Sequence, residues 1–169
     1  MSPYADAIEI DPRIFRRQVL HAGDLVWQKH LPNLIDATTS DWVKTLEQLL
    51  AEHPSGTFVS GHGDVATAAD VHDFHNYMVT LREAIAKAQA TGKTDQALVD
   101  AVLPQLQEKY GKDCPAASTN QPPTAPASTC WGFFKAFSSR NITQTAAELT
   151  GTKRVPAPVT DPNRNAAGK

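Results

Sequence analysis

Five apolar residues, Val71, Phe74, Met78, Leu81 and Ile85, follow one another at alternating intervals of three and four. That rhythm lays one apolar stripe along a helix of about six turns, opening at an N-cap on Thr67 and stopping at Gly92. So long a stripe must be covered, and the rest of the chain has to supply what covers it. Trp42, Val43, Leu46, Leu49 and Leu50 give a second helical face, capped by Ser40 or Asp41 and ended by Pro54-Ser55-Gly56. A third helix starts at Thr94, with Leu98, Val102, Leu106 and Tyr110 on one side. Pro104 falls inside it and predicts a kink or an early stop.

Between these helices the pattern changes to short extended runs. "AIEI", an Asp-Pro turn and "RQVLHAGDLVW" read as two strands, the second running through Val19 and Leu20 and ending near Gly23. An irregular, Pro-containing loop, "QKHLPNLIDATT", leads to the Trp42 helix. After that helix "TFVS" is a further strand, which delivers the chain into Gly61-His62-Gly63. Beyond Gly111, "KDCPAASTNQPPTAPASTC" holds four prolines among small polar residues and cannot bury enough apolar surface to order itself unaided. "CWGFFKAF" then brings four aromatics in eight residues, read as a patch folding back over the helices, and "NITQTAAELTG" reads as a short closing helix.

At 169 residues the chain can bury one substantial core. A net charge of -2 gives no electrostatic reason to expect nucleic acid or an anionic membrane as a partner. No apolar run reaches the roughly 18 residues that would span a bilayer. "MSPYADAIEIDPRIFRR" has neither a basic start nor an apolar core, so the chain as given is expected in the cytoplasm. Cys114 and Cys130 bracket the Pro-rich loop and can close it as a disulfide in an oxidising compartment, or remain reduced in the cytosol. The former would suit a periplasmic parent protein.

Two strand ends carry a polar group directly after an apolar run: Asp24 in "VLHAGDLVW" and His62 in "TFVSGHGDV". A strand–loop–helix–strand order can set those two ends side by side at one sheet edge. Carboxylate and imidazole are suitable ligands for zinc or a similar divalent ion, although two ligands do not complete a site.

"HAGDLVW", "SDWVKTLEQLL", "TFVSGHGDV" and "DVHDFHNYMVTLREAIAKAQATGKT" together resemble the C-terminal half of a metallo-β-lactamase-fold hydrolase, over about Ile8 to Gly151. The resemblance implies an α/β fold, here a partial four-layer αββα sandwich with a C-terminal helical extension. In that arrangement residues 1–66 are the α/β portion and 67–111 the helical extension packed on it. A Pro-rich loop follows over 112–130, a closing aromatic and helical segment over 131–151, and a mobile tail over 152–169. By motif, Asp24 resembles the aspartate that can bridge two metal ions, and His62 the last histidine ligand of the second ion. His30, in His30-Leu31-Pro32, sits where such proteins often have a His-Pro pair lining the site mouth, which makes it a candidate substrate contact. The implied activity is hydrolysis of an ester, thioester, amide or lactam in a small-molecule substrate through a zinc-bound hydroxide, with two zinc ions in a complete protein.

The departure from that family is equally specific. Its other ligands come from an H-x-H-x-D-H motif ahead of the Gly-Asp strand, whereas 23 residues precede Asp24 here and His21 is their only histidine. The chain therefore reads as a C-terminal part, with no catalytic side chain assignable, weak zinc binding, and either a complementing N-terminal half or a homo-oligomeric mate as the expected partner. The rival reading is a non-catalytic interaction module built on the helices from Ala68 to Tyr110. His72 and His75, three apart on a helix, can chelate an ion, but His75 flanks the apolar stripe and His72 faces water, so they read as structural. His21 reads as an exposed strand residue. Asn141 in "NIT" matches a glycosylation acceptor.

Overall fold

The computed structural model describes residues 19–112 and 130–154. Three strands and four helices follow in the order β1 (Val19–Trp27), α1 (Thr39–Glu52), β2 (Thr57–His62), β3 (Ala66–Thr67), α2 (Ala68–Ala90), α3 (Asp95–Tyr110) and α4 (Phe134–Leu149). The fold is α/β. β1 and β2 pair in parallel across the α1 crossover, and the two-residue β3 returns antiparallel on β2, so the sheet order is β1-β2-β3. The "AIEI" strand and most of the Pro-rich loop lie outside the described residues.

The stripe that opens the sequence reading is the centre of the core. Val71, Phe74, Met78, Leu81 and Ile85 are all fully buried, with Tyr77 joining them. They pack in one cluster with Val26 and Trp27 of β1, Leu46 and Leu50 of α1, Phe58 of β2, Leu98, Val102 and Leu106 of α3, and Ile142 of α4. Burying each such side chain contributes about 1.5–3 kcal/mol, which is why tertiary packing rather than intrinsic propensity sets these helices in place. Thr67 caps α2 as expected. Its hydroxyl accepts from the Asp70 amide while the Asp70 carboxylate accepts from the Thr67 amide, a reciprocal capping box.

Four details differ from the sequence expectation. β1 continues past Gly23 to Trp27, because Gly23 takes a left-handed backbone (φ 52°) that absorbs a register shift rather than ending the strand. Pro104 does not stop α3. Its ring is exposed, the carbonyl it leaves unpaired belongs to exposed Asp100, and buried Val102, Leu106 and Tyr110 hold the helix on both sides of it. α4 begins at Phe134, taking in the second half of the aromatic patch, with Phe134 and Phe137.

Fourth, the start of α1 has no local side-chain cap. Instead Glu148 near the end of α4 accepts from the Thr39 amide (2.7 Å), the Thr39 hydroxyl (2.8 Å) and the Ser40 amide (3.0 Å), and pairs with Arg82 of α2 at 2.6 Å. A carboxylate more than 100 residues away satisfies the orphan amides of a helix N-terminus. Burial alone would raise the Glu148 pKa, but the bonds from Thr39, Ser40 and Arg82 outweigh it and hold the carboxyl below its ordinary range. Beside it, Lys153 donates to the carbonyls of Leu34 and Ala37 and closes the same junction.

Candidate functional site

Because β1 and β2 are parallel, their C-terminal ends reach the same edge of the sheet. In open α/β sheets that edge is where functional groups converge. Asp24, three residues before the end of β1 rather than at its tip, and His62, the last residue of β2, meet near that edge, with Asp24 Oδ1 3.6 Å from His62 Nε2. Neither side chain is sealed in: Asp24 is 73% exposed and His62 40%.

Local sequence explains the geometry. The kink at Gly23 turns the next residue, Asp24, toward β2. Gly61 then makes room for it, since a Cβ on residue 61 would lie 1.9 Å from Asp24 Oδ1 and 2.8 Å from the Asp24 amide nitrogen. Gly61 therefore clears space for the carboxylate. Gly63 serves a different need. It has φ 89°, and a Cβ there would lie 2.2 Å from the Gln28 carbonyl oxygen. The Gln28 amide donates to the His62 carbonyl at 2.9 Å, fastening the loop after β1 to the end of β2.

Trp27 is the residue of this site that sequence reasoning missed. Its indole lies under the His62 ring, with centroids 3.7 Å apart and an interplanar angle of 26°, and its Nε1–H donates to the Asp24 carbonyl at 2.9 Å. One side chain thus positions both functional groups. The available signal was a tryptophan three residues after the aspartate, on a strand read as ending earlier.

Gln28 extends the scaffold to α2. Its amide nitrogen donates to Asp70 Oδ1 at 3.3 Å, and its Oε1 accepts from the Asp64 amide at 3.4 Å. Burial pushes the Asp70 pKa up, but hydrogen bonds from Thr67 and Gln28 and the nearby Lys29 charge overcome it and keep the group below the usual carboxylate range.

The other sequence candidates sit elsewhere. His30 is only 8% exposed; its Nδ1–H donates to the Gln28 carbonyl at 2.9 Å, and its ring rests against Gly132 and Phe133. His21 is exposed on β1. His75 approaches Glu47 of α1 at 3.3 Å, and with His72 it lines a surface hollow of about 300 Å³ between α1 and α2. Asn141 is fully buried and donates to the Pro32 carbonyl and the Tyr77 hydroxyl, so in the folded chain it is not an accessible glycan acceptor. Cys130 is disulfide-bonded; Cys114, the chain's other cysteine, lies outside the described residues.

The aromatic patch divides in two. Trp131 covers the helices by packing on Tyr77 and Tyr110. Phe133 and Phe137 turn the other way, Phe133 to His30 and Phe137 edge-on to Trp27. The closing segment therefore forms a wall beside the Asp24–His62 edge.

Two ligand atoms on one tetrahedral zinc, each about 2.1 Å from the ion, stand roughly 3.4 Å apart. The separation between Asp24 Oδ1 and His62 Nε2 fits that spacing. The number of donors does not fit: among the described residues no three His, Cys, Asp or Glu side chains group so as to hold a metal ion. Zinc sites take three or four protein ligands. No family model and no curated protein sequence matches this chain. Among the described residues, no helix is long and apolar enough to cross a membrane.

Proposed function

We propose that the chain is the C-terminal part of a metallo-β-lactamase-like, metal-dependent hydrolase of esters, thioesters, amides or lactams, and that Asp24 and His62 are its contribution to the second metal position. The four-layer sandwich is part of the same proposal, with the three-stranded sheet and its helices as one portion of it. One observation carries the reading: a carboxylate and an imidazole on adjacent parallel strands stand at the spacing of two ligands on one ion. A glycine that can bear no Cβ without striking that carboxylate supports it. The remaining donors must come from outside the described residues, so no reaction step is assigned to this site by itself.

Zinc titration of the chain, followed through the imidazole resonances, tests the proposal. Zinc should shift His62 before His72 and His75, and Asp24→Ala should weaken that response at least tenfold. A His62 signal indifferent to zinc, or unchanged by Asp24→Ala, would overturn the hydrolase reading and favour a non-catalytic module.

A further inference from the structure

Trp131 turns away from the Asp24–His62 edge and, with Tyr110, lines a surface hollow of about 220 Å³. Asp73 and Asn76 of α2 and Lys109 of α3 complete the lining. The three polar side chains are exposed, Tyr110 is buried and Trp131 is half-buried, so polar walls stand around an aromatic floor. That floor is fixed in place. The Trp131 amide donates to the Tyr110 carbonyl at 2.8 Å, and the indole packs on Tyr110 at 4.8 Å and on Tyr77 at 5.5 Å.

The walls carry hydrogen-bonding capacity that the fold leaves unused. Asp73 and Asn76, three apart on α2, share one helix face. Among the described residues neither side chain makes a hydrogen bond or an ion pair. Lys109 Nζ donates to the Thr80 hydroxyl at 3.3 Å and stands 5.1 Å from the Tyr110 ring centre, which holds the ammonium at the hollow with donors to spare.

These groups select a ligand by chemistry. One carboxylate and one ammonium leave the hollow without net charge, which favours neither an anion nor a cation. An ionised Asp73 only accepts, Lys109 only donates, and Asn76 does both, so the ligand that serves all three must itself donate and accept. It must also present an apolar surface to the indole. A sugar ring meets both demands, with hydroxyls around its rim and C–H groups on its faces, whose slightly positive hydrogens suit the negative face of an aromatic ring. The volume lies below the roughly 300–1,000 Å³ of sites for drug-sized ligands, which suits one ring rather than an extended molecule.

We infer that this hollow is a saccharide-binding site for a single pyranose ring resting on Trp131, with Asp73, Asn76 and Lys109 bonded to its hydroxyls. The hollow shares no residue with the Asp24–His62 edge, so the inference stands or falls independently of the hydrolase reading. Methyl β-glucoside, methyl β-galactoside, methyl α-mannoside and N-acetylglucosamine are each titrated into the ¹⁵N-labelled chain, following the Trp131 Nε1–H and Asn76 side-chain amide resonances. Sorbitol, an open chain bearing hydroxyls but no ring face, is the matched control, and glycine tests for a small zwitterion. At least one sugar should move both signals in a saturable way and bind at least tenfold more tightly than sorbitol or glycine. Asp73→Ala and Asn76→Ala, both at exposed positions, should each weaken that binding at least fivefold while leaving the remaining amide resonances in place.

No movement of either resonance with any of the four sugars, sorbitol or glycine binding within tenfold of the best of them, or full affinity in either variant overturns the inference.

Discussion

Two carboxylates of this molecule each face a cationic or potentially cationic side chain, and the similarity ends there. Glu148 is 12% exposed, accepts from two backbone amides and a hydroxyl, and pairs with Arg82 at 2.6 Å. Asp24 is 73% exposed and, among the described residues, its side chain meets the His62 ring alone, at 3.6 Å. The first has every acceptor position directed into the fold; the second leaves most of its own free. A charge that folding satisfies completely is a structural device, and one held in place by glycines yet left unsatisfied is available to a ligand.

The contrast predicts opposite consequences for disruption. Glu148→Ala should have the largest effect, lowering stability by about 3–5 kcal/mol, because it leaves Arg82 without its partner and the α1 amides without an acceptor. Denaturant unfolding would show it, and zinc should still reach His62 in whatever folds. Gly61→Ala should come next, destabilising by about 1–3 kcal/mol as the new Cβ forces Asp24 and its backbone aside. Unlike the first substitution, it should also suppress the zinc response.

Acid should separate the two regions further. A carboxyl held below its ordinary range stabilises the fold at every pH above that range, and the contribution is lost as pH falls through the folded value. The melting temperature should therefore fall on acidification below about 4.3, the ordinary glutamate value, and Glu148→Gln should flatten that part of the profile. The smallest effect belongs to Asp24→Ala, within about 0.5 kcal/mol of wild type, since the side chain is exposed and caps nothing. A larger loss would show that the Asp24–His62 contact is chiefly structural.

The same contrast explains what could be read from the sequence. The α2 stripe, its Thr67 cap and the convergence of Asp24 with His62 all follow from local periodicity and from a strand–helix–strand order. Each is a short-range signal. The cap on α1 was illegible because its acceptor, Glu148, stands on the last helix, and nothing near Thr39 announces it. Trp27 was missed because Gly23 reads as a strand end, whereas its left-handed backbone makes a bulge that carries the strand onward. Gly61 and Gly63 flank His62 in the sequence, but the atoms they make room for belong to Asp24 and Gln28, on the neighbouring strand and in the loop after it. The early start of α4 was hidden by its aromatics, which are weak helix formers that earn their place by packing. Side chains selected by distant partners leave little local trace.

The most direct test is anomalous diffraction at the zinc edge from crystals of the chain soaked in zinc. The account predicts a peak about 2.1 Å from both Asp24 Oδ1 and His62 Nε2. Peaks confined to other places, such as His72 and His75, with the Asp24–His62 edge empty, would contradict it.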